Sequence, residues 1–184
     1  MLNAVKRGAL AAAASLTLVS VAGAQGRPLE LGVDAGAVFG LGDESSVNIT
    51  LPATRARVGF FLEDPRWSVE PALGLSYAKV EGQDGVFTYD VELGVLYHLR
   101  PLVLASGDEV IASVNAAYVR PFVGFTGFSG GDTDDNEFIL GTGFGIKIPW
   151  RQQIAWRLEA NAGYGFDNEA FRLGALIGVS FFTR

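Results

Sequence analysis

The chain has 184 residues, 24 of them glycine and none cysteine, with a formal net charge of −6. That length suits one domain, and the lack of cysteine removes a disulfide framework, a thiolate metal site and a thiol nucleophile. The acidity speaks against nucleic acid as a partner, because phosphate binding needs a basic surface.

The first element is an export signal. Lys6 and Arg7 form a basic start, residues 8–21 are almost wholly apolar, and Ala22-Gly23-Ala24 supplies the small-residue cleavage site. Retention as a membrane helix is the other reading of this run, which is barely long enough to span. The cleavage site favours removal of residues 1–24 and a mature domain over 25–184. That domain carries 12 Lys and Arg against 20 Asp and Glu, a net of −8. It contains no run of about 20 apolar residues, so no helical membrane span is expected in it.

From residue 29 the hydrophobic period is two. Residues 29–40, "LELGVDAGAVFG", set Leu29, Leu31, Val33, Ala35, Ala37 and Phe39 against Glu30, Gly32, Asp34 and Gly36. Residues 47–62 change phase midway: Val47, Ile49 and Leu51 are odd, whereas Ala56, Val58 and Phe60 are even. A bulge near Pro52–Thr54 would produce that switch and tolerate the missing proline donor. Residues 67–77 and 87–99 alternate cleanly. Residues 115–128 are ambiguous, because Tyr118 and Phe122 share a face with Arg120. Residues 138–148, 154–166 and 171–182 complete eight strands. The connections "LGDESS", "EGQDG", "SGGDTDDNE" and "DNEA" are acidic turns, whereas "LEDPR", "RPLVLASGDEVIAS" and "PWRQQ" carry arginine and share an end with both termini.

This pattern predicts an all-β protein, an eight-stranded antiparallel up-and-down β-barrel. Alternation alone does not say which face is inside, since soluble and transmembrane barrels share it. Two features favour a transmembrane barrel. Aromatic residues concentrate at strand ends of the apolar face, as a bilayer's two interfaces select. Phe39, Tyr77, Phe87, Tyr89, Phe138, Tyr164, Phe166 and Phe171 fall at one end, and Phe60, Trp67, Tyr97, Trp150, Trp156 and Phe181 at the other. The girdle residues proper are Trp67, Tyr77, Tyr97, Trp150, Trp156 and Tyr164. The second feature is the opposite face, rich in glycine and balanced in charge: Glu30, Asp34, Glu70, Asp90, Glu92 and Glu159 against Arg55, Arg57, Arg120, Lys147, Arg157 and Arg172, with His98. An enclosed lumen requires such balance, because an unpaired buried charge is costly. Hairpin register places Arg57 beside Ala72 and diagonal to Glu70, Glu70 near His98, Asp34 near Arg55, and Lys147 near Arg157 and Glu159. Glu70, Arg57, His98 and Arg120 are thereby expected to plug the half nearest the termini.

With its export signal, eight alternating strands and final strand ending at an aromatic, the sequence resembles the small outer-membrane β-barrels of the OmpA transmembrane-domain and OmpX type. The resemblance covers essentially all of residues 25–184. It implies residence in the bacterial outer membrane, contact with outer-membrane lipid and lipopolysaccharide, and a last strand read by the barrel-insertion machinery through Phe171, Leu173, Ile177, Val179 and Phe181. Phe182, Thr183 and Arg184 follow Phe181, a departure from that terminal pattern.

Catalysis is not expected. His98 is the sole histidine and lies on the lumenal face, without a positioned nucleophile. No cofactor is called for. Asp132, Asp134, Asp135 and Glu137 are weak candidates for calcium or magnesium, and a solvated acidic turn accounts for them as well. The expected role is a monomeric, non-catalytic envelope protein with a structural or surface-contact function. A narrow, porin-like pore for ions or small solutes and a soluble periplasmic lipid-binding barrel remain as alternatives.

Overall fold

The computed structural model describes residues 28–41, 46–78, 86–101, 103–106, 109–112, 114–130, 133–167 and 169–183. The proposed export signal lies outside them. Ten strands run in chain order: β1 (Leu29–Leu41), β2 (Ser46–Phe61), β3 (Trp67–Ala78), β4 (Val86–His98), β5 (Val103–Ser106), β6 (Glu109–Ala112), β7 (Ala116–Gly130), β8 (Thr133–Arg151), β9 (Ile154–Gly165) and β10 (Ala170–Phe182). Eight of them close into one antiparallel barrel in the order β1-β10-β9-β8-β7-β4-β3-β2, and β5 pairs only with β6. Closure comes from β1 against β10, in register from Glu30 opposite Phe182 to Leu41 opposite Phe171. No edge is left at that seam.

Two local features depart from the sequence reading. The arginine-bearing connection after β4 holds the short β5–β6 hairpin, read from sequence as a loop. The acidic segment after Phe128 is mostly ladder, with Ser129 opposite Asp134 and Gly130 opposite Thr133. A solvated hairpin extension buries no apolar face, so hydrophobic period cannot reveal it. The phase change in β2 has its counterpart in the register: Asp34 pairs Arg55 and Gly36 pairs Thr50, so a two-residue step on β1 faces a five-residue step on β2. An odd surplus is what the switch of hydrophobic phase between Leu51 and Ala56 in the sequence requires.

The distribution of side chains inverts that of a soluble barrel. Leu73, Leu173 and Ile177 are 40 %, 43 % and 51 % exposed, while Arg57, Arg120, Lys147 and Arg157 are almost wholly enclosed. Large inward side chains lie over inward glycines of the neighbouring strand. A Cβ on Gly143 would come 2.8 Å from the Glu159 carboxylate, and one on Gly94 would come 3.0 Å from the Arg120 stem. Glycine is therefore spent where a long charged chain must cross a narrow interior.

The turn joining β2 to β3 is small and self-satisfied. Asp64 accepts from the backbone N–H and guanidinium of Arg66 at 2.8–3.1 Å. The side-chain bond from Arg66, then its backbone bond, hold the Asp64 carboxyl below its ordinary range.

Candidate functional site: the barrel interior

Strand parity directs the charged residues inward. On β9, Ala155, Arg157 and Glu159 are buried while Trp156, Leu158 and Ala160 are exposed, and the opposite parity holds on β10 because antiparallel partners share a face. All thirteen residues assigned by sequence to the lumenal face lie there. Glu30, Asp34, Arg57, Glu70, His98, Arg120, Lys147, Arg157 and Glu159 are buried. Arg55, Asp90, Glu92 and Arg172, nearer the loop end, are half-buried.

Two carboxylates act as hubs. Glu30 accepts from Arg57 Nη1 at 2.5 Å, Lys147 Nζ at 2.5 Å and Ser180 Oγ at 2.7 Å. Glu159 accepts from Arg120 at 2.7 Å, Arg157 at 2.5 Å and Tyr118 Oη at 2.7 Å. Glu70 joins the hubs by accepting from Arg157 at 2.7 Å and, more loosely, from Arg57 at 3.4 Å. Arg57 also donates through Nε to Asp34 at 3.0 Å. Towards the loop end, Glu92 accepts from Arg120 at 2.9 Å and Arg55 at 2.5 Å, and Glu137 pairs with Arg172. Charge-assisted bonds of this kind, several per ion, are what an enclosed charge requires.

Three backbone neighbours come out as the hairpin register anticipated, Arg57 opposite Ala72, Asp34 opposite Arg55 and Lys147 opposite Arg157, but Glu70 stands opposite Gly94, four residues along β4 from His98. Several side-chain partners also differ. Arg55 reaches Glu92 across the interior instead of Asp34, which Arg57 occupies. Lys147 goes to Glu30 and His98 instead of Glu159. His98 bonds Arg66 O through Nδ1 at 3.1 Å and faces Lys147 Nζ through Nε2 at 3.3 Å, with no bond to Glu70. Long side chains in a narrow cylinder choose among acids on several strands, so ladder adjacency fixes where a chain starts and not where it ends.

Sequence reasoning missed five parts of the interior. Tyr118, wholly buried, accepts from Arg157 Nε at 2.6 Å while donating to Glu159, and Arg157 and Lys147 lie 5.1 and 5.3 Å from its ring centroid. Phe122 carries the Arg120 guanidinium at 4.5 Å. The apparent phase ambiguity is thus two inward aromatics sharing a face with the arginines they stack on. Phe61 and Phe182 turn inward and cluster with Ala116 and Ala155 at the termini end, where Phe61 also stacks on His98 at 5.8 Å. Glu137 is buried and engaged by Arg172, although the sequence reading placed it in a surface loop; its odd parity opposite Phe138 was the available signal. Ser180 completes the Glu30 hub, and its inward parity on β10 was legible.

The outer face carries the expected aromatics. Trp67 and Tyr97 pair at 4.8 Å and Trp150 and Trp156 at 6.0 Å at the termini end, while Tyr164 meets Phe166 and Phe171 at the other. The side chain of Tyr77 lies outside the described residues. Phe60 is an exception, only 8 % exposed between the half-buried Leu29 and Val69 of its neighbouring strands. Phe171, Leu173, Ile177 and Phe181 are exposed and Val179 is half-buried, forming one outward row on β10. Of the metal candidates, Asp132 and the side chains of Asp134 and Asp135 lie outside the described residues. Among the described residues no group of three or more His, Cys, Asp or Glu converges on one point.

Solved structures share this architecture. The crystal structure of Neisserial surface protein A is 11 % identical, with TM-score 0.59, and the match covers 83 % of this chain and 96 % of that one. The N-terminal β-barrel domain of Pseudomonas aeruginosa OprF is 14 % identical, with TM-score 0.56 and coverage of 85 % and 98 %. The outer membrane protein OprG from Pseudomonas aeruginosa is 10 % identical, with TM-score 0.53 and coverage of 86 % and 96 %. The chain has the fold of the small eight-stranded outer-membrane barrels. No family model matches it, and no curated protein matches its sequence. At such identities the likeness is one of backbone path alone.

Proposed function

We propose that the protein resides in the bacterial outer membrane as a monomeric, non-catalytic barrel with a structural or surface-contact role in the cell envelope. The observation that carries this reading is the inversion of polarity. Leucine, isoleucine, valine and aromatic side chains line the outside, and nearly every described interior charge is met by an opposite one. In water the outer face would be an apolar patch far beyond the few hundred Å² that soluble monomers tolerate. In a bilayer the same face is solvated by acyl chains, and closure leaves no backbone edge in hydrocarbon.

The interior favours a plug over a pore. At the termini end Phe61 and Phe182 close the cylinder, and behind them the Glu30 and Glu159 hubs occupy its cross-section with wholly buried side chains. An ion passing through would have to break several charge-assisted bonds at once. In this reading lipid and lipopolysaccharide surround the wall, and the insertion machinery reads the outward row on β10.

The deciding experiment has two parts. Outer-membrane fractionation with a heat-dependent gel shift tests the environment, and single-channel recording of the reconstituted barrel tests the plug. Recovery in the soluble periplasmic fraction refutes the membrane reading. Steady conductance by the unaltered protein refutes the plug and favours a narrow pore.

A further inference from the structure

Among the described residues, the cations outside the lumen are Arg66, Arg100 and Arg151, all at the termini end. Arg66 is committed to Asp64. Arg151 is placed differently. Lys147 points inward, so strict alternation along β8 would turn Arg151 inward as well. Instead, Pro149 pairs Ala155 and Arg151 pairs Ile154, leaving Trp150 as an extra residue in the ladder. That bulge, a device that re-aims side chains, brings both Trp150 and Arg151 to the exterior. Trp150 is 61 % exposed, more than any other large apolar residue described.

The two side chains form an organised surface. The Arg151 guanidinium lies 5.5 Å from the Trp150 ring centroid, and the Trp150 ring lies 6.0 Å from that of Trp156. The backbone of the connecting turn is tied down, because Gln153 O accepts from Phe182 N at 2.9 Å. No Asp or Glu occurs anywhere from Phe138 to Leu158, whereas the β2–β3 turn contains Glu63 and Asp64 and the β5–β6 hairpin contains Asp108 and Glu109. The β8–β9 hairpin is therefore the one connection at the termini end with a cation and no acid in its sequence.

We infer that the β8–β9 hairpin binds the phosphate headgroup of an anionic phospholipid. Arg151 takes the phosphate through its planar donors, and Trp150 and Trp156 lie against the glycerol and upper acyl region, where amphipathic rings are at home. The site rests on the outer-membrane reading, in which the termini end faces the phospholipid leaflet. The opposite end offers an anionic headgroup little, since its turns contain Asp43, Glu44, Glu81, Asp84, Asp167 and Glu169.

Lipid-specific quenching of tryptophan tests the site. The protein and its Trp67→Phe variant, which keeps only Trp150 and Trp156, are folded into phosphatidylcholine vesicles. Each vesicle set contains a minor fraction of brominated lipid, either phosphatidylglycerol or phosphatidylcholine, and folding is verified by gel mobility. Brominated phosphatidylglycerol should be enriched at the rings roughly five-fold at low salt, the effect of one arginine near an anionic surface. Added salt should erode the enrichment. It should vanish in Arg151→Gln, survive in Arg151→Lys at reduced strength, and remain in Arg100→Gln. Equal quenching by the two lipids, or a preference that survives Arg151→Gln, overturns the site. Quenching by neither lipid strikes the membrane reading instead, so the two failures are distinguishable.

Discussion

Replacing Glu159 with alanine is the most searching test of the interior. Its side chain, wholly buried, receives hydrogen bonds from Arg120, Arg157 and Tyr118. Alanine would leave two buried guanidiniums with one acid each, Glu92 for Arg120 and Glu70 for Arg157. Breaking a buried ion pair by removing one partner costs about 3–5 kcal/mol. Here the lower part of that range is expected, because both arginines keep a partner and water can enter the vacated space. Glu159→Gln keeps the shape and one acceptor but turns an amide N–H₂ towards a cation, which should cost about 1–3 kcal/mol. The assay is urea unfolding of the folded barrel in lipid, read by gel mobility and tryptophan emission, with conductance recorded in parallel. Alanine should destabilise more than glutamine, and the alanine variant alone should show intermittent conductance. If alanine leaves unfolding within about 1 kcal/mol of the parent, below the cost of orphaning a buried charge, the interior is not the enclosed network described.

Other positions probe independent parts of the argument. Glu70→Ala removes the acid shared by Arg157 and Arg57; it should lower the midpoint of thermal unfolding or open conductance, and a variant with both unchanged removes support for a plug at the termini end. Gly143→Ala places a methyl 2.8 Å from the Glu159 carboxylate, so a loss of about 1–3 kcal/mol by overpacking is expected, and a neutral result in the same unfolding assay would contradict the filled lumen. Ile177→Arg puts a charge on the outward face of β10, where Ile177 is 51 % exposed; a destabilisation of about 2–4 kcal/mol is expected in lipid, and an unaffected barrel would mean that this face does not meet hydrocarbon. Phe181→Ser should reduce assembled barrel in cells while sparing refolding of purified protein into detergent. Equal losses in both would argue that the outward row on β10 serves packing and is not read as a signal.

The fold was legible because it rests on period. Eight alternating segments, their hairpin turns and the phase change in β2 all follow from residues that must take opposite sides of one wall. The inward charges were legible for the same reason, from Glu30 on β1 to Arg172 on β10. Their partners were not. A guanidinium some five bonds from its backbone samples acids on several strands, and the choice of Glu92 by Arg55 over the ladder neighbour Asp34 depends on Arg57 having already taken Asp34. The inward aromatics were hidden by a rule that equates apolar with lipid-facing. That rule fails where a ring can lie under a cation, as Tyr118 and Phe122 do. Phe182 is hidden from the same rule, since it follows the outward Phe181 yet belongs to the internal cluster with Phe61.

Glycine links these observations. An eight-stranded cylinder has room for roughly one layer of side chains across its width, so most large inward residues stand beside small ones, and where two large ones are opposite, as Lys147 and Arg157 are, they diverge to different acids, Glu30 and Glu70. The structure meets that limit by alternation around the wall: Tyr118 lies over Gly145, Phe122 over Gly141, Glu159 over Gly143, Asn161 over Gly174 and Asp34 over Gly178. Each substitution of glycine by a larger residue would displace a particular ion or ring, and each shortening of a large residue would open a particular gap. A transport pore would need the reverse, small residues opposite small ones along a continuous line. The pairing of large with small is therefore stronger support for a sealed interior than charge balance alone, because charges can balance along the walls of an open channel but cannot also fill its centre.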